Sequence, residues 1–108
     1  MEAHLDQPSR ATIEVVGEAS DGEEALARVE HLQPEVVVMD IYMGRMDGIT
    51  ATRLIKAQHP QIAAIGLTIE QKDFQLYAMH KAGATEVIGK ENMAEVPEAI
   101  QRAVERAG

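Results

Sequence analysis

The feature that most constrains the fold is a short apolar run that ends in an acid. Residues 36–39 are Val-Val-Val-Met, and Asp40 follows them directly. Four consecutive apolar residues, three of them β-branched, are typical of a strand buried on both faces of a parallel sheet. Ligands of open α/β sheets bind outside the carboxyl ends of such strands. Asp40 is therefore a candidate nucleophile or metal ligand.

The composition excludes several classes of protein. The 108 residues suffice for one domain with one modest core. Eighteen acidic and ten basic residues give a net charge of −8, which argues against direct contact with nucleic acid through its phosphates. The absence of cysteine excludes disulfides and thiolate metal sites. No membrane-spanning apolar stretch and no signal-peptide pattern are present, so we expect a cytoplasmic protein without membrane contact.

Strand and helix patterns alternate along the chain. Strands are predicted over residues 12–18, 36–39, 62–68 and 85–88. Helices are predicted from the Ser20–Glu23 capping box, over residues 48–58 and 71–82, and from about residue 96. Residues 2–5 resemble the end of a helix, and within residues 71–82 the spacing places Phe74, Ala78 and, less clearly, Tyr77 inward. This alternation predicts an α/β fold with a doubly wound parallel sheet and right-handed crossovers.

Three of the predicted strands end in residues suited to phosphoryl chemistry. Asp40, Thr68 and Lys90 each stand where a strand meets its loop, at the same edge of the sheet. Asp40 can attack phosphorus, while Lys90 and Thr68 can stabilise the phosphoryl oxygens. Taken singly, Thr68 has a simpler interpretation as a turn residue and Lys90 as a solvated charge. Asp40 differs, because a charge that closes a fully apolar strand needs a reason.

Residues 40–48, Asp-Ile-Tyr-Met-Gly-Arg-Met-Asp-Gly, resemble the D-x-x-M-P-x-M-D-G signature of response-regulator receiver domains from two-component signalling. Residues 15–25, 66–68 and 83–90 resemble further strands and a helix start of that family. The likeness covers residues 13–106 and implies a flavodoxin-like sheet in a receiver-like domain. It leaves residues 1–12 as the remnant of a first helix and a loop.

The resemblance implies a role for each strand-end residue. Asp40 would be the phosphoacceptor, Thr68 the switch hydroxyl and Lys90 the family's lysine. The backbone carbonyl of Tyr42 would join Asp40 as a ligand of Mg²⁺. The phosphoryl group would come from a histidine kinase or another phosphodonor.

The chain departs from the family pattern at its N-terminus. The family's first strand, with an acidic pair that helps to hold Mg²⁺, has no counterpart in residues 1–12. Since Mg²⁺ demands near-octahedral oxygen ligation, Asp40 and one carbonyl make a weak site, and Mg²⁺-dependent phosphorylation is expected to be impaired. Gly44 replaces the usual proline, Ile69 could crowd the phosphoryl pocket, and Val87 stands where an aromatic switch residue is common.

The missing strand also leaves a structural problem. In the family order it lies between residues 12–18 and 36–39, and each unmet buried backbone group costs about 1–3 kcal/mol. Other chain could close the gap, residues 12–18 could slide over to pair with residues 36–39, or two copies could pair. We expect a homo-oligomer.

Alternatives to a phosphorylated receiver switch remain open. The main one is a degenerate receiver that acts as a phosphorylation-independent interaction or dimerisation module. An enzyme is disfavoured. Dehalogenase-type phosphatases need a second aspartate at the position that Tyr42 occupies here, and cobalamin-binding domains need a histidine at that position. No serine or cysteine nucleophile elbow is present, and the four histidines show no metal-ligand spacing.

Overall fold

The computed structural model describes residues 2–7, 10–41, 46–69 and 73–107. The strands are β1 Glu2–Gln7, β2 Arg10–Glu14, β3 Val36–Asp40, β4 Ala63–Thr68 and β5 Glu86–Gly89. The helices are α1 Gly22–Leu32, α2 Gly48–Gln58, α3 Asp73–Ala82 and α4 Val96–Ala107, and a 3₁₀ segment, Lys90–Glu95, joins β5 to α4. Within the described residues, no helix has the length and apolar character needed to cross a membrane.

Three strands form a parallel sheet in the order β3-β4-β5. The register pairs Val36 with Ala63 and Asp40 with Leu67, and it pairs Thr68 with Gly89. Every residue of the central strand β4 is buried. This register places the carboxyl ends of all three strands at one edge, as the sequence pattern predicts.

Helices cover both faces of this sheet. One apolar cluster joins α4 to the sheet and includes Val36, Ile65, Ile88, Ile100 and Ala103. A second cluster lies between the other face and α1, α2 and α3; it includes Ala25, Val29, Met39, Ile55 and Met79. The predicted doubly wound α/β architecture is therefore confirmed for this part of the chain.

Aspartates cap the first two helices. Asp47 caps α2, accepting from the Thr50 N–H at 2.7 Å, and this helix has the predicted bounds. The capping box predicted for α1 is wrong by one residue: Asp21 is the N-cap and accepts from the Glu24 N–H at 2.9 Å. Ser20 donates instead to the Glu24 carboxylate. Both residue types are good caps, so the sequence alone does not choose between them.

The N-terminal segment differs from the prediction. Residues 2–5 belong to a strand, not to a helix end, because β1 pairs antiparallel with β2 in a separate two-stranded sheet. The sequence Glu2–Gln7 alternates polar and apolar residues through Asp6, which is the period of a strand. The strand predicted over residues 12–18 ends at Glu14 and does not slide over to pair with β3. Residues 15–19 form no strand.

The orientation of α3 also corrects the prediction. Phe74 and Tyr77 are 68% and 65% exposed, whereas Gln75, Met79 and Ala82 are buried. The reason is Gly66 on β4: a Cβ built there would lie 2.7 Å from Cε of Met79. The glycine leaves room for the methionine, which turns that side of the helix toward the sheet.

Candidate functional site

Asp40 is held at the carboxyl end of β3 by two backbone hydrogen bonds of the residue that follows it. The next residue, Ile41, donates its N–H to the carbonyl of Leu67 on β4 at 2.9 Å. The carbonyl of Ile41 accepts from the N–H of Gly48 at 2.9 Å. The strand end is thereby tied both to the neighbouring strand and to the first residue of α2.

Gly48 packs directly against the backbone of Asp40. A Cβ built on Gly48 would lie 2.0 Å from the carbonyl oxygen of Asp40, so this position accepts only glycine without a backbone shift. On the other side of the loop, Gly22 donates its N–H to the carbonyl of Met46 at 3.1 Å. The loop after Asp40 is thus anchored at the first residues of both α1 and α2.

The carboxylate of Asp40 contacts the ammonium of Lys90. Nζ of Lys90 lies 2.5 Å from Oδ2 of Asp40, and the two side chains are 37% and 30% exposed. Lys90 follows Gly89, which pairs with Thr68 at the end of β4. The structure therefore brings together two of the residues singled out by the sequence, in a charge-assisted hydrogen bond.

Thr68 lies at the end of the central strand, between the strand ends that carry Asp40 and Lys90. Its side chain is 0% exposed. The following residue, Ile69, is 65% exposed. That its bulk crowds the phosphoryl pocket stays a prediction. Val87 is half-buried and packs within the cluster on the α1–α3 face of the sheet.

The described residues do not build a cation site around Asp40. No group of three histidine, cysteine, aspartate or glutamate side chains suited to a metal ion occurs among them. Tyr42 and Gly44 lie outside the described residues. A Mg²⁺ ion needs about six oxygen ligands, and the carboxylate of Asp40 already binds Lys90. These residues therefore do not fit a firmly held Mg²⁺.

Sequence reasoning overlooked the residues that shape the loop. Gly48 and Gly22 each leave space for a backbone segment that a side chain would displace. Glycine at the first position of a helix, directly after a capping aspartate, is the signal that could have indicated such a close approach.

Other charged contacts lie away from this edge of the sheet. Nε2 of His59 lies 2.9 Å from the carboxylate of Glu30, linking the end of α2 to α1. Arg102 on α4 donates two hydrogen bonds, of 3.0 and 2.7 Å, to the carboxylate of Glu86. These bonds lower the pKa of Glu86, against the opposing effect of its partial burial. They fasten α4 to the start of β5.

Comparisons with known proteins agree with this architecture. The model of the response regulator receiver domain matches residues 3–101. The response regulator protein VraR of Staphylococcus aureus strain NCTC 8325 is 37% identical over 95 residues, which cover 87% of this chain and 46% of that protein. The chain thus spans about half the length of the curated relatives it matches.

Solved structures give the same result. A LuxR-family two-component response regulator from Aurantimonas sp. SI85-9A1 superposes with a TM-score of 0.79 at 30% identity, covering 84% of this chain and 66% of that one. The response regulator domain of Thermotoga maritima CheB gives a TM-score of 0.75 at 28% identity, covering 94% and 79%. With a flavodoxin-like fold and a family match over most of its length, the chain belongs to the response regulator receiver domains of two-component signalling.

Proposed function

We propose that Asp40 is the phosphoacceptor of this receiver domain. The observation that carries the proposal is the contact between Asp40 and Lys90, which joins a carboxylate and a fixed positive charge at the edge where three strands end. Thr68 ends the strand between them. Phosphoryl transfer requires a nucleophile, a positive charge and a hydrogen-bond donor, and these three groups stand at one edge of the sheet.

The proposed reaction is a transfer from a phosphodonor to the carboxylate. An oxygen of Asp40 attacks phosphorus, the bond from phosphorus to the donor breaks, and an acyl phosphate forms. Lys90 exchanges its contact with the carboxylate for one with a phosphoryl oxygen, and Thr68 donates a hydrogen bond to another. The chain acts here as the acceptor, not as an enzyme, and its donor is a histidine kinase or a small acyl phosphate.

We propose further that Mg²⁺ supports this reaction weakly. Asp40 and the carbonyl of Tyr42 are the ligands that the family resemblance implies, and the described residues contain no group of three metal-ligating side chains to strengthen the site. A cation with so few protein ligands is held mainly by water and by the phosphodonor. We therefore expect slow phosphorylation that needs high concentrations of Mg²⁺.

Intact mass spectrometry after incubation with acetyl phosphate tests the assignment. We expect one phosphoryl group per chain, formed slowly and depending on Mg²⁺. Asp40→Asn should abolish the adduct, while Asp73→Asn, which removes an exposed carboxylate on α3, should leave it unchanged. An adduct that persists in Asp40→Asn would refute the assignment.

The second candidate function is an interaction module that no longer depends on phosphorylation. The lack of a three-ligand metal cluster among the described residues is the observation behind this alternative. No adduct at any Mg²⁺ concentration, in a chain that remains folded by circular dichroism, would support this module and exclude the switch.

Self-association is part of either proposal. Among the described strands, β3 lies at one end of the parallel sheet and pairs with β4 on one side only. An unpaired edge of a buried apolar strand is a template for another chain. We therefore propose that copies of this protein form homo-oligomers.

A further inference from the structure

Helix α1 contacts the residues that lead into α2. The contact joins Gly22, the first residue of α1, to Met46. A Cβ built on Gly22 would lie 2.7 Å from the carbonyl oxygen of Met46 and 2.7 Å from its Cβ. Neither of these atoms is the free end of a side chain, so a side chain at position 22 would displace the backbone of one partner. The two backbones therefore touch at this point.

A short path leads from Met46 to Asp40. Asp47 follows Met46 and is the N-cap of α2, where its side chain accepts from the N–H of Thr50 at 2.7 Å. The next residue, Gly48, packs against the carbonyl oxygen of Asp40, which a Cβ on Gly48 would meet. The path from α1 to Asp40 thus consists of two contacts between backbones, joined by a capped first turn.

Each of these two contacts also includes a backbone hydrogen bond. The N–H of Gly22 donates to the carbonyl of Met46 at 3.1 Å, and the N–H of Gly48 donates to the carbonyl of Ile41 at 2.9 Å. Close-packed segments have low compressibility and transmit a displacement to their neighbours. A shift of Met46 is therefore passed on to Gly48 and to the backbone that carries the side chain of Asp40.

Helix α1 is fixed by contacts of its own. Its N-cap, Asp21, accepts from the N–H of Glu24 at 2.9 Å. Ala25 and Val29 on its inner face are buried in the apolar cluster between the sheet and α1–α3. A helix that is fixed both at its cap and along its apolar face can serve as a rigid support for Met46.

We infer that Gly22 is a positioning residue for phosphoryl transfer to Asp40. It acts through Met46 and Gly48, because the lack of a side chain at position 22 lets α1 support this segment directly. The inference rests on the function proposed above. Reacting groups must meet in a defined geometry, so a displacement of about 1 Å can slow a reaction about a hundredfold.

The initial rate of phosphorylation by acetyl phosphate, read by intact mass, tests this role. Gly22→Ala should lower the rate at least about tenfold. The matched control is Gly17→Ala, where the added Cβ would lie 2.5 Å from the terminal Cδ1 of Leu32, at the other end of α1. That methyl group can move to another rotamer, so Gly17→Ala should change the rate by less than about twofold.

A second control separates loss of positioning from loss of stability. Ile100→Ala removes a buried side chain from the cluster under α4, on the opposite face of the sheet. All variants are compared at a temperature where circular dichroism shows them to be folded, and there Ile100→Ala should keep the wild-type rate. Gly22→Ala combined with Gly48→Ala should slow the reaction by less than the product of the single effects, since both act on one segment.

A milder change at the same end of α1 does not depend on the folding of Gly22→Ala. Asp21→Ala removes the cap that fixes the first turn of α1, whereas asparagine is as good an N-cap as aspartate. Among folded chains, Asp21→Ala should therefore slow phosphorylation at least about threefold, and Asp21→Asn should restore most of the rate.

The outcomes distinguish this inference from the proposed function. A wild-type chain that forms no adduct would overturn both. An adduct that forms in Gly22→Ala as fast as in Gly17→Ala would overturn the positioning role and leave Asp40 as the phosphoacceptor. The same holds if folded Ile100→Ala is slowed as much as Gly22→Ala, or if Asp21→Ala and Asp21→Asn react at equal rates.

Discussion

The ammonium of Lys90 lies 2.5 Å from the carboxylate of Asp40, although fifty positions separate the two residues in the chain. The contact depends on the parallel register that brings the ends of β3 and β5 to the same edge on either side of β4. Both side chains are about one-third exposed, so solvent screens their attraction in part. Replacing either side chain by a neutral one nevertheless leaves the charge of the other half-buried and without this partner.

The pair should therefore show a measurable coupling in a double-mutant cycle. We expect Asp40→Asn and Lys90→Met to be less than additive in urea denaturation, with a coupling of about 1 kcal/mol. The cycle of Lys90→Met with Asp73→Asn is the control and should be additive, since the side chain of Asp73 is exposed and the described contacts join it to neither member of the pair. Equal couplings in both cycles would show that the contact contributes nothing specific.

Gly48→Ala should destabilise the protein although alanine favours helices. The added Cβ would lie 2.0 Å from the backbone oxygen of Asp40, and neither atom can move without shifting the strand end or α2. We expect a loss of about 1–3 kcal/mol in the free energy of unfolding, measured by urea denaturation, and a reduced yield of the acetyl-phosphate adduct. Ala57→Gly, an exposed site on the same helix, gives the effect of helix propensity alone, about 1 kcal/mol or less. A neutral or stabilising Gly48→Ala would refute the close approach.

The ion pair between Glu86 and Arg102 predicts a pH dependence with a definite sign. The hydrogen bonds from Arg102 lower the pKa of Glu86 in the folded protein below the ordinary value of 4.5. The unfolded chain therefore binds the proton more readily, and the stabilisation is complete above about pH 4.5 and is lost as the pH falls through the lowered pKa.

Glu86→Gln should accordingly reduce stability at pH 7 by about 0.2–1 kcal/mol, and this difference should shrink below pH 4.5. Glu105→Gln is the matched control on α4, because Glu105 accepts from Gln101 instead of from an arginine. Chemical denaturation at pH 7 and pH 3 measures both. A difference for Glu86→Gln that persists unchanged at pH 3 would exclude the ion pair as its cause.

Thr52 predicts a stabilising substitution. Its side chain on α2 is 0% exposed, and its hydroxyl has no hydrogen-bond partner among the described residues. Replacing a buried, unsatisfied hydroxyl by a methyl group of similar shape removes a desolvation cost, so Thr52→Val should raise stability by about 1 kcal/mol. Thr52→Ala should lower it, because a cavity forms. Thermal unfolding separates these outcomes, and a destabilising Thr52→Val would mean that the hydroxyl is satisfied after all.

The elements around the site follow from local sequence signals. The run before Asp40, the helical pattern over residues 48–58 and the alternation of strands and helices predict β3, α2 and the parallel sheet. They also predict the shared edge, because parallel strands with short connections bring their carboxyl ends together. The contact of Lys90 with Asp40 follows from that geometry, whereas the close approach of Gly48 depends on a loop path that spacing alone does not reveal.

The N-terminal hairpin and the orientation of α3 were not predictable in this way. Residues 2–7 alternate in polarity, but their partner strand could equally well have been β3, and the choice depends on tertiary contacts such as those of β1 with α4. In α3, both Phe74 and Met79 are candidates for the core by helical spacing. The choice is made by Gly66 on a different element, and a single helix pattern does not contain that information.

The last prediction tests this orientation directly. Met79 is 0% exposed and its methyl group lies over Gly66, so Met79→Ala should lower the free energy of unfolding by about 2–5 kcal/mol. The side chain of Phe74 is 68% exposed, so Phe74→Ala should lower it by less than about 0.5 kcal/mol. Gly66→Ala should be less destabilising in the Met79→Ala background than in the wild type, because the group it would meet has been removed. Urea denaturation of the four variants measures these differences. A larger loss for Phe74→Ala than for Met79→Ala would restore the orientation predicted from the sequence and exclude the one described here.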